Sequence, residues 1–312
     1  MIESMYQVLR PSQSHWVPLR GCRYHVRQWG EHSSELTNGA TPLVLAHGWM
    51  DVAASWQFMV DALSEAFASQ RPIIAMDWRG YGLTEAPATD SYWFPDYLAD
   101  LDALLDTLFP GRAIDLVGHS MGGNVVMMYA GSRPERIRRL VNLEGFGLPA
   151  TRAAQAPSRM TQWLDEVKAQ RTGDKALKPY ADAAGVAARL MKTNRRLGQD
   201  QANWLAQHWA RPGPDGQWRI LGDAAHKVIN PYLFHVEEAL AMYQRISAPV
   251  LAVEASEDSL TQWWKGQYTL AEFHQRLKSV PHLEKATLQD AGHMLHHDQP
   301  LALAAILEKF LN

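Results

Sequence analysis

The chain has 312 residues, 46% hydrophobic and 20% charged, a balance that supports a large buried core and excludes disordered and fibrous classes. A formal net charge of -3 gives no basic footprint for phosphate backbones, so no nucleic-acid partner is expected. One cysteine, Cys22, excludes an intrachain disulfide and a cysteine-rich metal centre and leans towards a reducing, cytoplasmic setting. Met1 to Arg20 lacks a leader pattern, and no window approaches the ~20 apolar residues of a membrane span. At roughly 150 residues per domain, the length asks for two units or one large domain with an insertion.

In chain order, His15 to Leu19 and Arg23 to Trp29 around Gly21 predict a two-stranded start. Short apolar runs follow at Leu43 to Ala46, Ile73 to Met76, Ile114 to Val117, Leu140 to Leu143, Val250 to Val253 and Ala286 to Leu288. Runs of this kind predict strands covered on both faces, as in a parallel sheet. Helical patterns at Ser55 to Ala68, Tyr97 to Phe109, Asn124 to Gly131 and Leu301 to Leu311 alternate with them, which predicts a wound α/β sheet. The alternation stops from about Gly147 to Arg245, where the pattern is mostly helical and no strand run stands out. Within it, Arg189, Lys192, Arg195 and Arg196 sit at helical spacing and are read as a solvated face without function.

Gly118-His119-Ser120-Met121-Gly122 is a GxSxG motif between a predicted strand and a predicted helix. A serine at such a turn projects its hydroxyl from the carboxyl edge of the sheet, and the tight backbone needs small residues two positions to either side. A serine nucleophile needs amide donors for the oxyanion its attack creates. Met121 supplies one, and Trp49, in the His47-Gly48-Trp49 loop after the third strand, is expected to supply the other. Of the 13 histidines, His293 beside Gly292, after the last strand, follows the chain order serine, acid, histidine and is taken as the general base. For the acid that orients it, Asp258 after the strand Val250 to Val253 is the first choice. Glu144, at the end of the preceding strand, is the alternative, with Glu257 behind it. His296, His297 and Asp298 lack the HExxH pattern and cysteine partners, so no metal site and no cofactor are expected.

Taken together, these motifs resemble those of the α/β-hydrolase fold superfamily over nearly the whole chain. The matching residues are His47-Gly48-Trp49, Asp77-Trp78-Arg79-Gly80-Tyr81-Gly82, Gly118 to Gly123, Asp258, and Gly292-His293 with Pro300. The resemblance implies an eight-stranded, mostly parallel sheet with antiparallel first strands and a helical cap inserted after the sixth strand. The core is then residues 1–146 and 246–312, and the cap residues 147–245. Within the superfamily the chain looks closest to cap-bearing serine hydrolase-like members. Related epoxide hydrolases and haloalkane dehalogenases place aspartate at the elbow and proline after the HGx turn, where this chain has Ser120 and Met50. Ring-cleavage carbon-carbon hydrolases keep the serine but carry a glycine-rich HGxGPG loop, replaced here by His47-Gly48-Trp49-Met50-Asp51.

The expectation is therefore a serine esterase acting on small to medium, partly apolar carboxylic esters. Carbon-carbon bond hydrolysis with the same triad is the runner-up, and a non-catalytic ligand-binding protein of this fold is the contrasting class. The expected partner is a small-molecule substrate, with no nucleic acid and no membrane, and the chain is expected to be a monomer or homodimer.

Overall fold

A computed structural model describes residues 5–30 and 40–312. Met1 to Ser4, part of the stretch read for a leader, and positions 31–39 of the expected core lie outside the described residues. The antiparallel pair β1 (Ser12–Leu19) and β2 (Cys22–Trp29) opens the chain, followed by β3 (Leu43–Ala46), β4 (Ile73–Met76), β5 (Ile114–His119) and β6 (Ile137–Leu143). A separate hairpin, β7 (Ala210–Pro212) and β8 (Trp218–Ile220), precedes β9 (Val250–Ala255) and β10 (Leu283–Leu288). The main sheet has eight strands in the order β1-β2-β4-β3-β5-β6-β9-β10. From β4 to β10 all pairings are parallel, whereas β2 meets β4 antiparallel.

Continuous apolar runs form these strands because both faces are covered. Val44, Ile74, Leu116, Leu140 and Val250 enter one apolar layer, and their neighbours Leu45, Ile73, Val117, Val141 and Leu251 enter the other. On the second face lie α1 (Gln57–Ala62), α2 (Glu65–Ala68), α11 (Leu295–Asp298) and α12 (Pro300–Leu311). On the first lie α3 (Phe94–Leu108), α4 (Met121–Ser132), α8 (Val236–Gln244), α9 (Ser259–Trp263) and α10 (Leu270–Leu277). The single helix expected over Ser55 to Ala68 is instead broken. Leu63 is extended (ψ 146°), and the Ser64 hydroxyl accepts the Phe67 amide hydrogen and restarts the chain as α2, a capping bond that the apolar periodicity does not reveal.

Between β6 and β9 run α5 (Ala156–Arg171), α6 (Ala183–Thr193), α7 (Gln199–Trp209), the hairpin, and α8. Helices α6 and α7 make a third apolar cluster, with Val186, Leu190, Leu197 and Leu205 packed against Val52, Ala54 and Phe58 of the sheet domain. The β7-β8 hairpin lies in the segment that reads as mostly helical with no strand run, because three-residue strands are too short to leave a period of two.

The Asp77 to Gly82 segment proves to be the joint between these layers. Buried Asp77 accepts hydrogen bonds from the amides of Ala53 (2.6 Å) and Leu83 (2.8 Å) and faces His25 Nδ1 at 2.7 Å. Arg79 forms a two-pronged pair with Asp100 of α3 (2.5 and 2.6 Å), and Asp100 also accepts from Arg20 and the Tyr24 hydroxyl. The Asp100 side chain is fully buried. Removing one partner of a buried, hydrogen-bonded pair leaves the others uncompensated. Asp100→Ala should therefore destabilise the fold by about 3–5 kcal/mol, read as a lowered thermal midpoint, and a midpoint unchanged within error would contradict this account of the joint.

Candidate active site

Ser120 ends β5 and caps α4 with φ 53° and ψ -115°. A non-glycine residue rarely holds a positive φ, and the strain persists only where the surroundings over-determine it. Here the Ser120 amide donates to Leu143 O (2.8 Å) and the Ser120 carbonyl accepts from Asn124 (3.0 Å), so the turn is pinned to β6 and to its own helix. The flanking glycines are sterically required: a Cβ on Gly118 would collide with the Gly122 carbonyl, and one on Gly122 with the Ala46 carbonyl of β3. Met50 (φ 54°), after β3, and Glu144 (φ 52°), after β6, share the left-handed conformation.

Ser120 and His293 line one cavity of about 970 Å³, whose lining also draws on the segment between β6 and β9 through Leu177, Tyr180, Arg189 and Ile220. They face the same space without a hydrogen bond between them. Such contacts tighten on substrate binding. His293 Nδ1 donates to Glu144 Oε2 at 3.0 Å, which fixes the tautomer and leaves Nε2 as the acceptor nitrogen of the ring. Glu144 is itself held by the Ala255 amide on Oε1 (2.8 Å) and the Ser259 hydroxyl on Oε2 (2.8 Å). The first-choice acid is thus corrected: Asp258 is not on the imidazole but caps α9, accepting the Thr261 amide hydrogen at 2.8 Å. Glu257 is turned outward to Arg196. The reason lies in strand order, since β6 is sandwiched between β5 and β9, which sets the end of β6 between the elbow and the β9 loop.

Burial disfavours charge on both members of the pair. It pushes Glu144 up to about 7, against hydrogen bonds from Ala255 and Ser259 that favour the anion, and it pushes His293 down to about 3, keeping the ring neutral. Trp263 packs its ring edge-on to His293, with centroids 4.2 Å apart.

Of the oxyanion candidates, Met121 follows Ser120 in the chain and Trp49 lines the same cavity. Met121 opens α4, where the amides have no intrahelical acceptor. Trp49 sits in the loop after β3, and its amide donates to no carbonyl among the described residues. His47 braces that loop: its Nδ1–H donates to Gly48 O (2.7 Å), and its Nε2 accepts the Trp78 amide hydrogen (3.0 Å). The Trp78 indole adds a bond to His47 O (2.9 Å).

Sequence reasoning missed His119 and Asp51. The His119 Nε2–H donates to the His293 carbonyl at 2.7 Å, which fixes the base loop against the elbow. Buried Asp51 accepts from the Val52 amide and the Trp209 indole. Asp51, His119 and His296 offer ligand atoms within 4.8 Å of one another, and Asp51 Oδ2, His119 Nδ1 and His296 Nδ1 lack hydrogen-bond partners among the described residues. Among the described residues, this is the group whose side chains could hold a metal ion. His297 instead bonds Ser55, and Asp298 accepts from Gly292 and Asn194.

The model of the alpha/beta hydrolase fold family matches residues 41–300. The chain belongs to the α/β-hydrolase fold family. This α/β-hydrolase is 24% identical over 290 residues to a serine hydrolase-like protein of Danio rerio, covering 91% of this chain and 86% of that one. It is 27% identical over 301 residues to an epoxide hydrolase of Caballeronia sordidicola, covering 88% of each. Among solved structures, it resembles a hypothetical protein of Pseudomonas aeruginosa PAO1, with a TM-score of 0.78, 25% identity, and coverage of 96% and 97%.

If Glu144, not Asp258, orients His293, Glu144→Gln should lower kcat on an activated ester by about 10⁴, while Asp258→Asn stays within a few-fold. The opposite ranking would return the role to Asp258. With the Glu144 pKa raised by burial, its carboxylate is present above about 7 and lost as pH falls through that value. The acid limb of the kcat profile should lie near pH 7 and be absent in Glu144→Gln.

Proposed function

We propose that this α/β-hydrolase is a serine hydrolase that cleaves small to medium, partly apolar carboxylic esters through an acyl-enzyme on Ser120. The observation that carries this reading is the strained Ser120 turn sharing a cavity with His293, whose Nδ1 is bonded to the buried Glu144. A neutral imidazole with a free Nε2 removes the Ser120 proton, and Oγ attacks the ester carbonyl. The carbonyl oxygen becomes an anion beside the amides of Met121 and Trp49, and fixed donors at that point lower the barrier where charge develops. Collapse of this intermediate breaks the acyl-oxygen bond, and the leaving alcohol takes the proton from His293. A water molecule, deprotonated by the same ring, then attacks the acyl-enzyme. The acid departs and Ser120 regains its hydrogen. Glu144 stabilises the imidazolium through both steps without taking its proton.

The epoxide hydrolase among its relatives does not favour epoxide opening here. The resemblance implies an aspartate at the elbow for that chemistry, and this chain has Ser120 there. A hydroxyl activated by a base matches attack on an acyl carbonyl. The apolar contribution to the pocket comes from Trp49, Met50, Leu177, Leu190, Ile220 and Trp263, which suits an acyl or alcohol group of moderate size.

Two measurements test this. A fluorophosphonate should label Ser120, and p-nitrophenyl acetate should give a burst of about one equivalent. Ser120→Ala should lose both and fall by a factor on the order of 10⁶ in kcat. Substantial ester turnover by Ser120→Ala would overturn the assignment.

A further inference from the structure

The Ser120 cavity is basic although the chain is not. Its lining includes four cations, Lys178, Arg189, Lys192 and Lys227, and a single carboxylate, Asp51, in a protein of net charge -3. Asp51 does not neutralise them, since it is buried at the base of the loop and engaged by Val52 and Trp209. Elsewhere in the insertion, cations near acids pair with them. Lys175 meets Glu166 at 3.1 Å, Arg171 meets Asp90 at 2.7 Å, and Arg219 meets Asp215 at 2.5 Å. Lys178, Arg189 and Lys192 have no such partner among the described residues, and Lys227 donates only to the Lys175 carbonyl.

Arg189 and Lys192 keep the exposure that the solvated-face reading expects of them. They are three positions apart on α6 and line the cavity, whereas Arg196 of the same basic run turns to Glu257. Like charges at that spacing weaken a helix slightly. The helix C-terminus favours one cation in its last turn, and Lys192 fills that place. It gives no reason for Arg189 or for lysines converging from two other segments. Clefts lined by one sign of charge with low-dielectric walls focus their field and concentrate ligands of the opposite sign.

Resting on the serine-hydrolase reading above, we propose that the substrate carries an anionic group remote from the scissile bond, seated between Arg189 and Lys192 with Lys178 and Lys227 at the rim. The reactive ester then lies on the Ser120 floor, its linking chain passes the apolar wall, and the anion reaches α6. An ester of a dicarboxylic acid and a thioester of a phosphorylated carrier share this chemistry. The first puts the charge on the acyl side and the second on the leaving side.

Two matched pairs separate these sources: mono-p-nitrophenyl adipate against p-nitrophenyl hexanoate, and butyryl-coenzyme A against the butyryl thioester of N-acetylcysteamine. In at least one pair the anionic member should be favoured tenfold or more in kcat/KM at low ionic strength, with the preference shrinking as salt rises. Arg189→Gln/Lys192→Gln should collapse that ratio, while Arg195→Gln, outside the cavity, keeps it. Equal or better use of the neutral member in both pairs, or a ratio indifferent to the double variant, would overturn the proposal. Binding without turnover supplies a separate readout: the tryptophan fluorescence of Ser120→Ala titrated with glutarate and with its diamide. Preference for glutarate that the double variant abolishes supports the anion site even if no ester is cleaved, which would count against the hydrolase reading alone. Equal response to both compounds counts against the site.

Discussion

The site depends on one backbone constraint, the left-handed turn that Ser120 is forced to make between β5 and α4. A β-strand pointing into a helix can expose a side chain at its end only if the chain reverses sharply, and this reversal leaves no room for a Cβ at Gly118 or Gly122. The sheet supplies what holds the strain. Leu143 of β6 takes the Ser120 amide hydrogen, and the next residue along, Glu144, is itself in the left-handed conformation and carries the carboxylate that meets His293. Ser120 and Glu144 are thus positioned by adjacent strand ends, with one backbone hydrogen bond tying the two turns together.

That coupling also explains which parts were legible in the sequence. The strands Leu43 to Ala46 and Ile73 to Met76 are apolar in both alternating sets, so their burial on two faces could be read directly. That Ser120 and His293 would share one cavity was legible because each is embedded in a local pattern, an elbow in one case and a glycine-flanked loop after the last strand in the other. The acid had no local pattern. Glu144 and Asp258 both follow strands at the same edge, and the choice between them depends on the Ala255 amide and Ser259 hydroxyl reaching Glu144 from β9 and α9. Hydrogen bonds between residues more than 100 positions apart leave no signature in a single sequence.

The placement of Arg189 and Asp51 at the cavity was hidden for a related reason. A charged residue on a helix can face solvent or a cavity at the same spacing, and only the packing of α6 against the loop near Val52 decides it. Buried Asp51 and the histidines around it come from the β3 loop, the elbow and α11. Burial drives the His119 and His296 pKa values down, to about 3 and about 4. The rings are therefore neutral at physiological pH, and the base loop stays docked on the elbow through the His119 bond to the His293 carbonyl without added charge beside the reacting groups.

The Asp77 to Gly82 turn also reaches the segment between β6 and β9. Gly82 donates to Leu221 O (2.8 Å), Asp223 donates to Gly80 O (2.8 Å), and the His226 ring is stacked between Tyr81 and Tyr92 at 3.8 Å from each. The same turn braces the His47 loop through Trp78. The segment is consequently not a transplantable module. Its exchange for that of a relative, as in a chimera built to alter selectivity, would cut main-chain bonds to the turn that also steadies the loop carrying Trp49. A graft intended to change only what enters the cavity would also disturb the wall beside Ser120, unless the turn travelled with it.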